Sequence, residues 1–160
     1  MNQPKNILFV MDCSRSMDRF NSYNGRINIC LDSAALVMES FDGTQIRFDY
    51  SIVGHSGYYP CVHFVDFGNL TDNAKNRMKF LQKMVAHSQY CQSNDFTLVD
   101  MRKVILDTKY LSDVKEYSAD ENIVIGVSDA NLSQYGICPQ ELGKVMETDA
   151  SSGKITSKSY

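Results

Sequence analysis

The sequence predicts an α/β protein in which a doubly wound, mostly parallel sheet carries helices on both faces. Residues 7–11 and 123–127 are short, continuous apolar runs, which are typical of strands buried on both sides of a parallel sheet. Between these runs, segments with a helical spacing of apolar residues alternate with strand-like segments. Such alternation indicates parallel strands that are joined by helical crossovers, so the chain is expected to form one sheet of this kind.

The first long helix is predicted between Gly25 and Asp42, because apolar residues recur there every three or four positions. These residues are Ile27, Cys30, Leu31, Ala34, Ala35, Met38 and Phe41. Residues 46–52 then alternate between apolar and polar side chains, which predicts a strand with one drier face. Residues 54–57 are expected to break this strand, and residues 61–67 are expected to return as the second strand of a hairpin.

A second long helix is predicted to begin near residue 71. Four apolar residues would form its buried face: Ala74, Met78, Leu81 and Val85. A further helix is predicted to begin at Thr97, before the buried strand at residues 123–127. Pro139 is placed to open a last helix at its first turn.

The composition excludes several classes of function. The chain has 160 residues and a net charge of −3, so it has the size of a single domain and lacks the basic character that nucleic-acid binding requires. No apolar stretch approaches the roughly 20 residues that a membrane-spanning helix needs. Five widely spaced cysteines, an odd number, and a start without a signal peptide predict a reducing, intracellular location.

Three oxygen-bearing residues follow the first buried strand at alternate positions, Asp12, Ser14 and Ser16. One carboxylate and two hydroxyls are hard oxygen ligands, and Mg²⁺ and Mn²⁺ prefer such ligands in near-octahedral geometry. The same residues have a second interpretation, since Ser and Asp after a strand often cap the next helix. A metal site is therefore expected only if oxygen ligands from other parts of the chain reach this loop.

Two further residues stand at suitable positions, namely Asp129 after the second buried strand and Thr97 at the start of a helix. In open α/β sheets, ligands bind at the carboxyl ends of the strands, where the strand order reverses. If the strands that precede Asp12 and Asp129 are neighbours, both carboxylates lie at this edge, and Thr97 can reach the same rim. The predicted ligands then converge from three separate segments.

The pattern Asp12-x-Ser14-x-Ser16 with a later Thr97 and Asp129 resembles the metal-ion-dependent adhesion site of von Willebrand factor A domains. Other stretches resemble one branch of this family in the same order along the chain, and they are residues 19–21, 25–26, 53–57, 86–89 and 128–133. The resemblance covers residues 5–146, which are therefore expected to be the domain.

The resemblance implies a Mg²⁺ site, with Mn²⁺ or Ca²⁺ as alternatives, whose ligands are Asp12, Ser14, Ser16, Thr97 and Asp129. In such sites the hydroxyls often coordinate directly and the aspartates through water, and an Asp or Glu of a protein partner takes an open position. The resemblance thus implies a protein-interaction domain and not an enzyme. The rim that selects the partner would consist of Arg15, His55, Asn131, Leu132 and Ser133.

In full-length relatives of the branch that the chain resembles, the domain follows an ATP-driven AAA+ motor and the setting is mitochondrial. The chain would then be a substrate- or adaptor-binding module of an AAA+ ATPase system. It contains no G-x-x-x-x-G-K-[ST] phosphate loop, so the motor would be a separate chain. No transit peptide is recognised, so the cytoplasm is the alternative location.

Two features depart from the family pattern. Arg15 stands where the family most often has Gly, and its charge would weaken cation binding, reach an anionic partner, or point to solvent. The family's last two strands and terminal helix are also expected to be missing, because residues 147–160 are polar and are expected to form a disordered tail. The strand at residues 123–127 would then be an exposed sheet edge.

Two other interpretations stay open. The chain could be a scaffold of the same fold that binds no metal. It could also be a cysteine-dependent phosphatase, since Cys13 and Arg19 have the C-x₅-R spacing of a nucleophile and a phosphate-binding guanidinium. Asp12 and Asp18 count against the phosphatase, because they would repel phosphate and raise the pKa of the thiol. A haloacid-dehalogenase-like enzyme would need a second Asp where Ser14 stands.

Overall fold

The computed structural model describes residues 5–19, 21–43, 48–55, 62–68, 73–90, 122–127 and 155–157, together with residues 138 and 140. In chain order the strands and helices are β1 (Lys5–Asp12), α1 (Arg15–Arg19), α2 (Asn21–Asn24), α3 (Arg26–Ser40), β2 (Phe48–His55), β3 (Val62–Val65), α4 (Ala74–Tyr90), β4 (Asn122–Val127) and β5 (Ile155–Ser157). The short helices α1 and α2, which directly follow β1, were not predicted from the sequence.

The strands form one five-stranded sheet in the order β3-β2-β1-β4-β5. β2 and β4 flank β1 on its two sides and are both parallel to it. β3 is antiparallel to β2, as the predicted hairpin requires, and β5 is parallel to β4. The chain thus builds outward from β1 first to one side and then to the other. The predicted class, a doubly wound and mostly parallel α/β sheet, is confirmed.

The central strand β1 is buried on both faces. Ile7, Phe9 and Met11 belong to a core that also contains residues of α1, α3 and α4. Leu8 and Val10 alternate with them and pack with Val53 in a second cluster. The apolar run therefore predicted the burial of this strand correctly, because side chains pack on both of its faces and neither face is left to water. The helix expected at Thr97 lies outside the described residues, as does most of the one expected after Pro139.

Helix α3 buries the stripe that its periodicity predicted. Its buried residues are Ile27, Cys30, Ala34 and Met38, which recur at intervals of three and four. Just beyond its end, the ring of Phe41 lies 6.1 Å from Phe9, 5.9 Å from Phe48 and 5.4 Å from Tyr50, measured between centroids. This aromatic group attaches the end of α3 to the first two strands.

Helix α4 is present, and the prediction of its buried face is partly right. Leu81 packs against the core as predicted, but Ala74 and Met78 are exposed, Met78 at 55%, and the buried residues are Met84 and Ser88. The guanidinium of Arg77 lies 2.6 Å from Asp42, and the hydroxyl of Ser88 donates a hydrogen bond into the loop after β1. Such pairing allows a polar side chain like that of Ser88 to lie on the buried face.

Strand β2 ends at His55, within the predicted break at residues 54–57, but it runs through Gly54. A Cβ atom at Gly54 would lie 2.8 Å from Cζ of Phe64 and 3.3 Å from Sγ of Cys13. The glycine is therefore needed for the close approach of a ring and a thiol to the strand, and not for a turn.

The polar segment at residues 147–160 contains a strand where a disordered tail was expected. Ile155–Ser157 pairs with β4 through Asn122↔Ile155, Ile123↔Thr156 and Val124↔Ser157. The expectation that β4 is an open edge is wrong over these positions. Parallel pairing uses backbone groups, and the β-branched residues in this segment favour extended backbone, so its polarity was a poor guide. In the helices that the structure describes, no segment is long and apolar enough to cross a membrane.

The substitution Gly54→Ala is expected to lower the free energy of unfolding by about 1–3 kcal/mol, the usual cost of overpacking a core. The added methyl group would meet Phe64 and Cys13. Urea denaturation followed by circular dichroism measures this change. Gly126→Ala is the matched control, because a Cβ there meets nothing within 4 Å, and its effect should stay within about 0.5 kcal/mol. Equal destabilisation by both substitutions would contradict the packing described for Gly54.

Candidate metal centre

The predicted site lies where three neighbouring strands end. Asp12 is the last residue of β1, and His55, the last residue of β2, is its partner in the register. On the other side of β1, Val127 at the end of β4 pairs with Met11. The three strands are parallel, so their carboxyl ends meet at this edge. The strand order reverses at β1, which makes the edge a place where α/β sheets bind ligands.

Asp12 opens a tight turn at the end of β1. Its Oδ1 accepts a hydrogen bond of 2.9 Å from the backbone N–H of Ser14, the arrangement of an Asx turn. The Asp12 side chain is only 1% exposed, so it is a buried carboxylate and not a group on the outer rim. Replacement by Asn would keep an acceptor oxygen in the turn and remove the charge.

Ser14 and Ser16 bring their hydroxyls together beside this turn. Ser14 Oγ and Ser16 Oγ are 3.0 Å apart and form a hydrogen bond in which either can be the donor. In an octahedral Mg²⁺ shell with metal–oxygen distances of about 2.1 Å, ligands at adjacent corners are also about 3.0 Å apart. Ser14 is buried and Ser16 is half-buried. The pair therefore fits two neighbouring positions around a Mg²⁺-sized ion, at the boundary between core and surface.

The backbone carbonyl of Ser14 accepts two hydrogen bonds. One comes from the N–H of Met17 at 3.1 Å, inside the first turn of α1. The other comes from the hydroxyl of Ser88 at 3.0 Å, which crosses from α4. Ser14 is 1% exposed and Ser88 is 0% exposed. The loop is therefore held on its buried side by Ser88, which is 74 positions away in the sequence.

A buried thiol supports the start of the loop. Cys30 on α3 donates a hydrogen bond of 3.7 Å from Sγ to the carbonyl oxygen of Asp12. Burial, together with the nearby Asp12 carboxylate, raises the pKa of the Cys30 thiol to about 12. Cys30 is therefore a neutral donor at physiological pH and not a reactive thiolate.

The geometry of Cys13 and Arg19 favours packing over phosphate chemistry. Cys13 is 0% exposed and lies against Gly54 of β2, whereas Arg19 is exposed at the end of α1. A nucleophile for a phosphate ester has to be accessible and ionised, and a thiol buried in an apolar core is neither.

Of the predicted site residues, the structure brings together Asp12, Ser14 and Ser16. Arg15 is exposed as the first residue of α1, and for His55 the backbone alone is described, next to Asp12. The others lie outside the described residues: Thr97, Asp129, Asn131, Leu132 and Ser133. In the described part of the chain, no three His, Cys, Asp or Glu side chains gather around a common point. The donors found there are one carboxylate and two hydroxyls.

Ser88 is a residue of this site that the sequence pattern did not single out. Two signals could have found it. It lies four positions after Met84, so it shares the buried face of α4, and it belongs to the stretch at residues 86–89 that resembles von Willebrand factor A domains. Neither signal shows what its hydroxyl binds, because Ser14 is far away in the sequence.

The native protein is expected to react with a thiol reagent such as DTNB at Cys138, and not at Cys13 or Cys30. Cys138 is exposed, the other two are buried, and a pKa of about 12 keeps Cys30 protonated at neutral pH. Mass-spectrometric mapping of labelled peptides measures this difference. Protein unfolded in urea is the control, in which Cys13 and Cys30 should react as well. Rapid labelling of native Cys13 would revive the phosphatase interpretation.

In comparisons with known proteins, no family model matches the chain. The chain is similar to von Willebrand factor A domain-containing protein 8 of Mus musculus, with 37% identity over 147 residues. The matched region is 92% of this chain and 7% of the mouse protein. The chain therefore spans a small part of the length of this relative.

Solved structures with a similar fold include bacterial surface proteins. The pilus adhesin SpaC from Lactobacillus rhamnosus GG matches with a TM-score of 0.56 and 18% identity, over 79% of this chain and 15% of the adhesin. A mutant of the PilB minor pilin from Streptococcus sanguinis matches with a TM-score of 0.52 and 14% identity, over 80% of this chain and 30% of the pilin. At such low identities these structures show the fold alone. Fold and sequence similarity together identify the chain as a von Willebrand factor A-like domain.

Proposed function

We propose that the chain is a metal-dependent protein-interaction domain that captures an acidic residue of a partner. Asp12, Ser14 and Ser16 would hold a Mg²⁺-type cation at the carboxyl edge of the sheet, together with Thr97 and Asp129. The ion would supply a positive charge and a coordination position for a carboxylate oxygen of the partner. The similarity to a von Willebrand factor A domain-containing protein supports an interaction domain over an enzyme.

One observation carries this proposal: the hydroxyls of Ser14 and Ser16 lie 3.0 Å apart, next to the turn of Asp12. The separation matches adjacent ligands of a small cation, as derived above. A hydrogen bond between the two hydroxyls gives the same separation, and Ca²⁺ also accepts oxygen ligands at comparable spacings, so the distance does not choose between these cations. The hard oxygen donors support a cation of the class of Mg²⁺, Mn²⁺ or Ca²⁺.

The register of the sheet also supports the contribution of Asp129. Val127 ends β4 beside Met11, and Asp129 is the second residue after Val127 in the sequence. The strand that precedes Asp129 in the sequence therefore ends at the edge that holds Asp12. Arg15 begins α1 within the loop and is exposed, so its charge would add to the attraction of an acidic partner.

The wider setting follows from the long relative. The chain corresponds to 7% of a von Willebrand factor A domain-containing protein, so we extend the proposal to a module that works with other domains or chains. An AAA+ ATPase is the proposed associate, with this domain as its substrate- or adaptor-binding part, and the mitochondrion is the proposed location. The alternative is a scaffold of the same fold that binds partners without a metal.

Millimolar MgCl₂ is expected to raise the thermal unfolding midpoint of the wild-type protein, because a cation that binds only the native state stabilises it. At about 100 times the dissociation constant this stabilisation is about 2.7 kcal/mol. The variants Asp12→Asn and Ser16→Ala should lose most of the shift. Differential scanning calorimetry with and without MgCl₂ measures it, and the same measurement with CaCl₂ compares the two cations.

Ser33→Ala is the matched control for these variants. The Ser33 hydroxyl donates a hydrogen bond to the carbonyl of Ile29 within α3, away from the loop, so this variant should keep the full response to MgCl₂. A wild-type protein that responds to none of Mg²⁺, Mn²⁺ and Ca²⁺ would favour the metal-free scaffold. A full response in Asp12→Asn would show that the ligands are assigned wrongly.

Acetate is expected to bind the Mn²⁺-loaded protein, because its carboxylate can stand in for the acidic residue of a partner. With the wild-type protein in excess over Mn²⁺, so that little metal is free, the methyl protons of acetate should relax faster than those of ethanol. Proton NMR relaxation measures the difference. Ethanol is the matched probe without a carboxylate. If acetate is relaxed no more than ethanol, carboxylate capture is contradicted even if the cation binds.

A further inference from the structure

We propose that Ser88 is a positioning residue for the candidate cation site and that it couples helix α4 to that site. This inference rests on the proposed function, and it names a residue that orients a proposed ligand without binding the cation itself. The hydroxyl of Ser88 donates a hydrogen bond of 3.0 Å to the carbonyl of Ser14. Ser88 is 0% exposed, so water does not compete for this bond.

Every polar group of Ser14 is engaged in the loop. Its N–H donates to Oδ1 of Asp12, and its hydroxyl lies 3.0 Å from that of Ser16. Its carbonyl accepts from Met17 and from Ser88. Of these contacts, the bond from Ser88 is the one that comes from outside residues 12–17. It therefore ties the position of the proposed ligand to another helix and not to the loop alone.

The position of the Ser14 carbonyl governs the position of the Ser14 hydroxyl, because both groups are attached to the same Cα atom. A metal ligand has to be held within about 0.5 Å of its productive position. Without the Ser88 hydroxyl, the carbonyl would be held by the Met17 amide of a five-residue helix. The hydroxyl pair would then be less well ordered before a cation arrives, and affinity would fall.

Helix α4 is well placed to transmit this coupling. Near its first turn, Arg77 is bonded to Asp42 at 2.6 Å, and near its last turn the ring of His87 contacts Phe64 of β3 with centroids 6.4 Å apart. The helix thus bridges the turn after α3, the edge strand β3 and the loop of Ser14. Coupling is reciprocal, so binding of a cation at the loop should in turn steady the last turn of α4.

The test is the Mg²⁺ affinity of Ser88→Ala by isothermal titration calorimetry. Removal of a group that orients a metal ligand typically costs about 10–100-fold in affinity, and we expect a loss of about 10-fold. Ala34→Gly is the matched control, because Ala34 is a buried residue of α3 that does not hold Ser14. It should lower stability and leave the Mg²⁺ affinity unchanged. If Ser88→Ala does not fold, Ser88→Cys takes its place as the test variant. It keeps the side-chain shape with a weaker donor, so it should also weaken Mg²⁺ binding.

Hydrogen exchange gives a readout that a merely structural role would not change. In the wild type, MgCl₂ should slow amide exchange at residues 84–90, and this protection should be absent in the Ser88 variants. Unchanged Mg²⁺ affinity in both Ser88→Ala and Ser88→Cys, or in the one that folds, would overturn the inference while the metal site stands. A wild-type protein that binds none of Mg²⁺, Mn²⁺ and Ca²⁺ would overturn the proposed function and this inference with it.

Discussion

The parallel pairing of β1 with both β2 and β4 is the constraint on which the other features depend. It places β1 in the middle of the sheet, where its apolar residues are buried on both faces. It also brings the ends of all three strands to one edge, with His55 beside Asp12 and Val127 beside Met11. The strand pairing that forms the core therefore also places the loop after β1 at the carboxyl edge of the sheet. Ligands bind at this edge in α/β proteins.

The loop that begins at Asp12 lies at the carboxyl edge of the sheet, but several of its polar side chains are buried in the core. Asp12, Ser14 and Ser88 are all almost completely buried, and their hydrogen bonds run to one another and to the backbone. Buried polar groups have to be paired, because an unpaired one loses its bonds to water without compensation. Here the pairing also orders the oxygens that we propose as ligands. The geometry of the site and the stability of the domain are consequently linked.

The fold does not by itself establish what the domain binds. Similar sheets occur in a pilus adhesin and a minor pilin that share less than a fifth of their residues with this chain, and one fold can carry unrelated functions. The case for a cation therefore comes from the chemistry and spacing of Asp12, Ser14 and Ser16. Cys13 is buried, so it contributes to the packing of the core and does not support the alternative of a cysteine-dependent phosphatase.

The sequence by itself determined the strands β1 and β4, helix α3 and the loop that begins at Asp12, because apolar runs and helical periodicity directly reflect burial. Tertiary structure decided which face of α4 is buried. Ser88 is buried on that face with its hydroxyl paired to Ser14, and Arg77 pairs with Asp42 nearer the start of the helix. Both partners are distant in the sequence. It also decided that the polar residues of β5 form a strand, since backbone pairing with β4 does not depend on apolar side chains. Local patterns report hydrophobicity, whereas the burial of polar groups depends on partners that only the folded chain brings together.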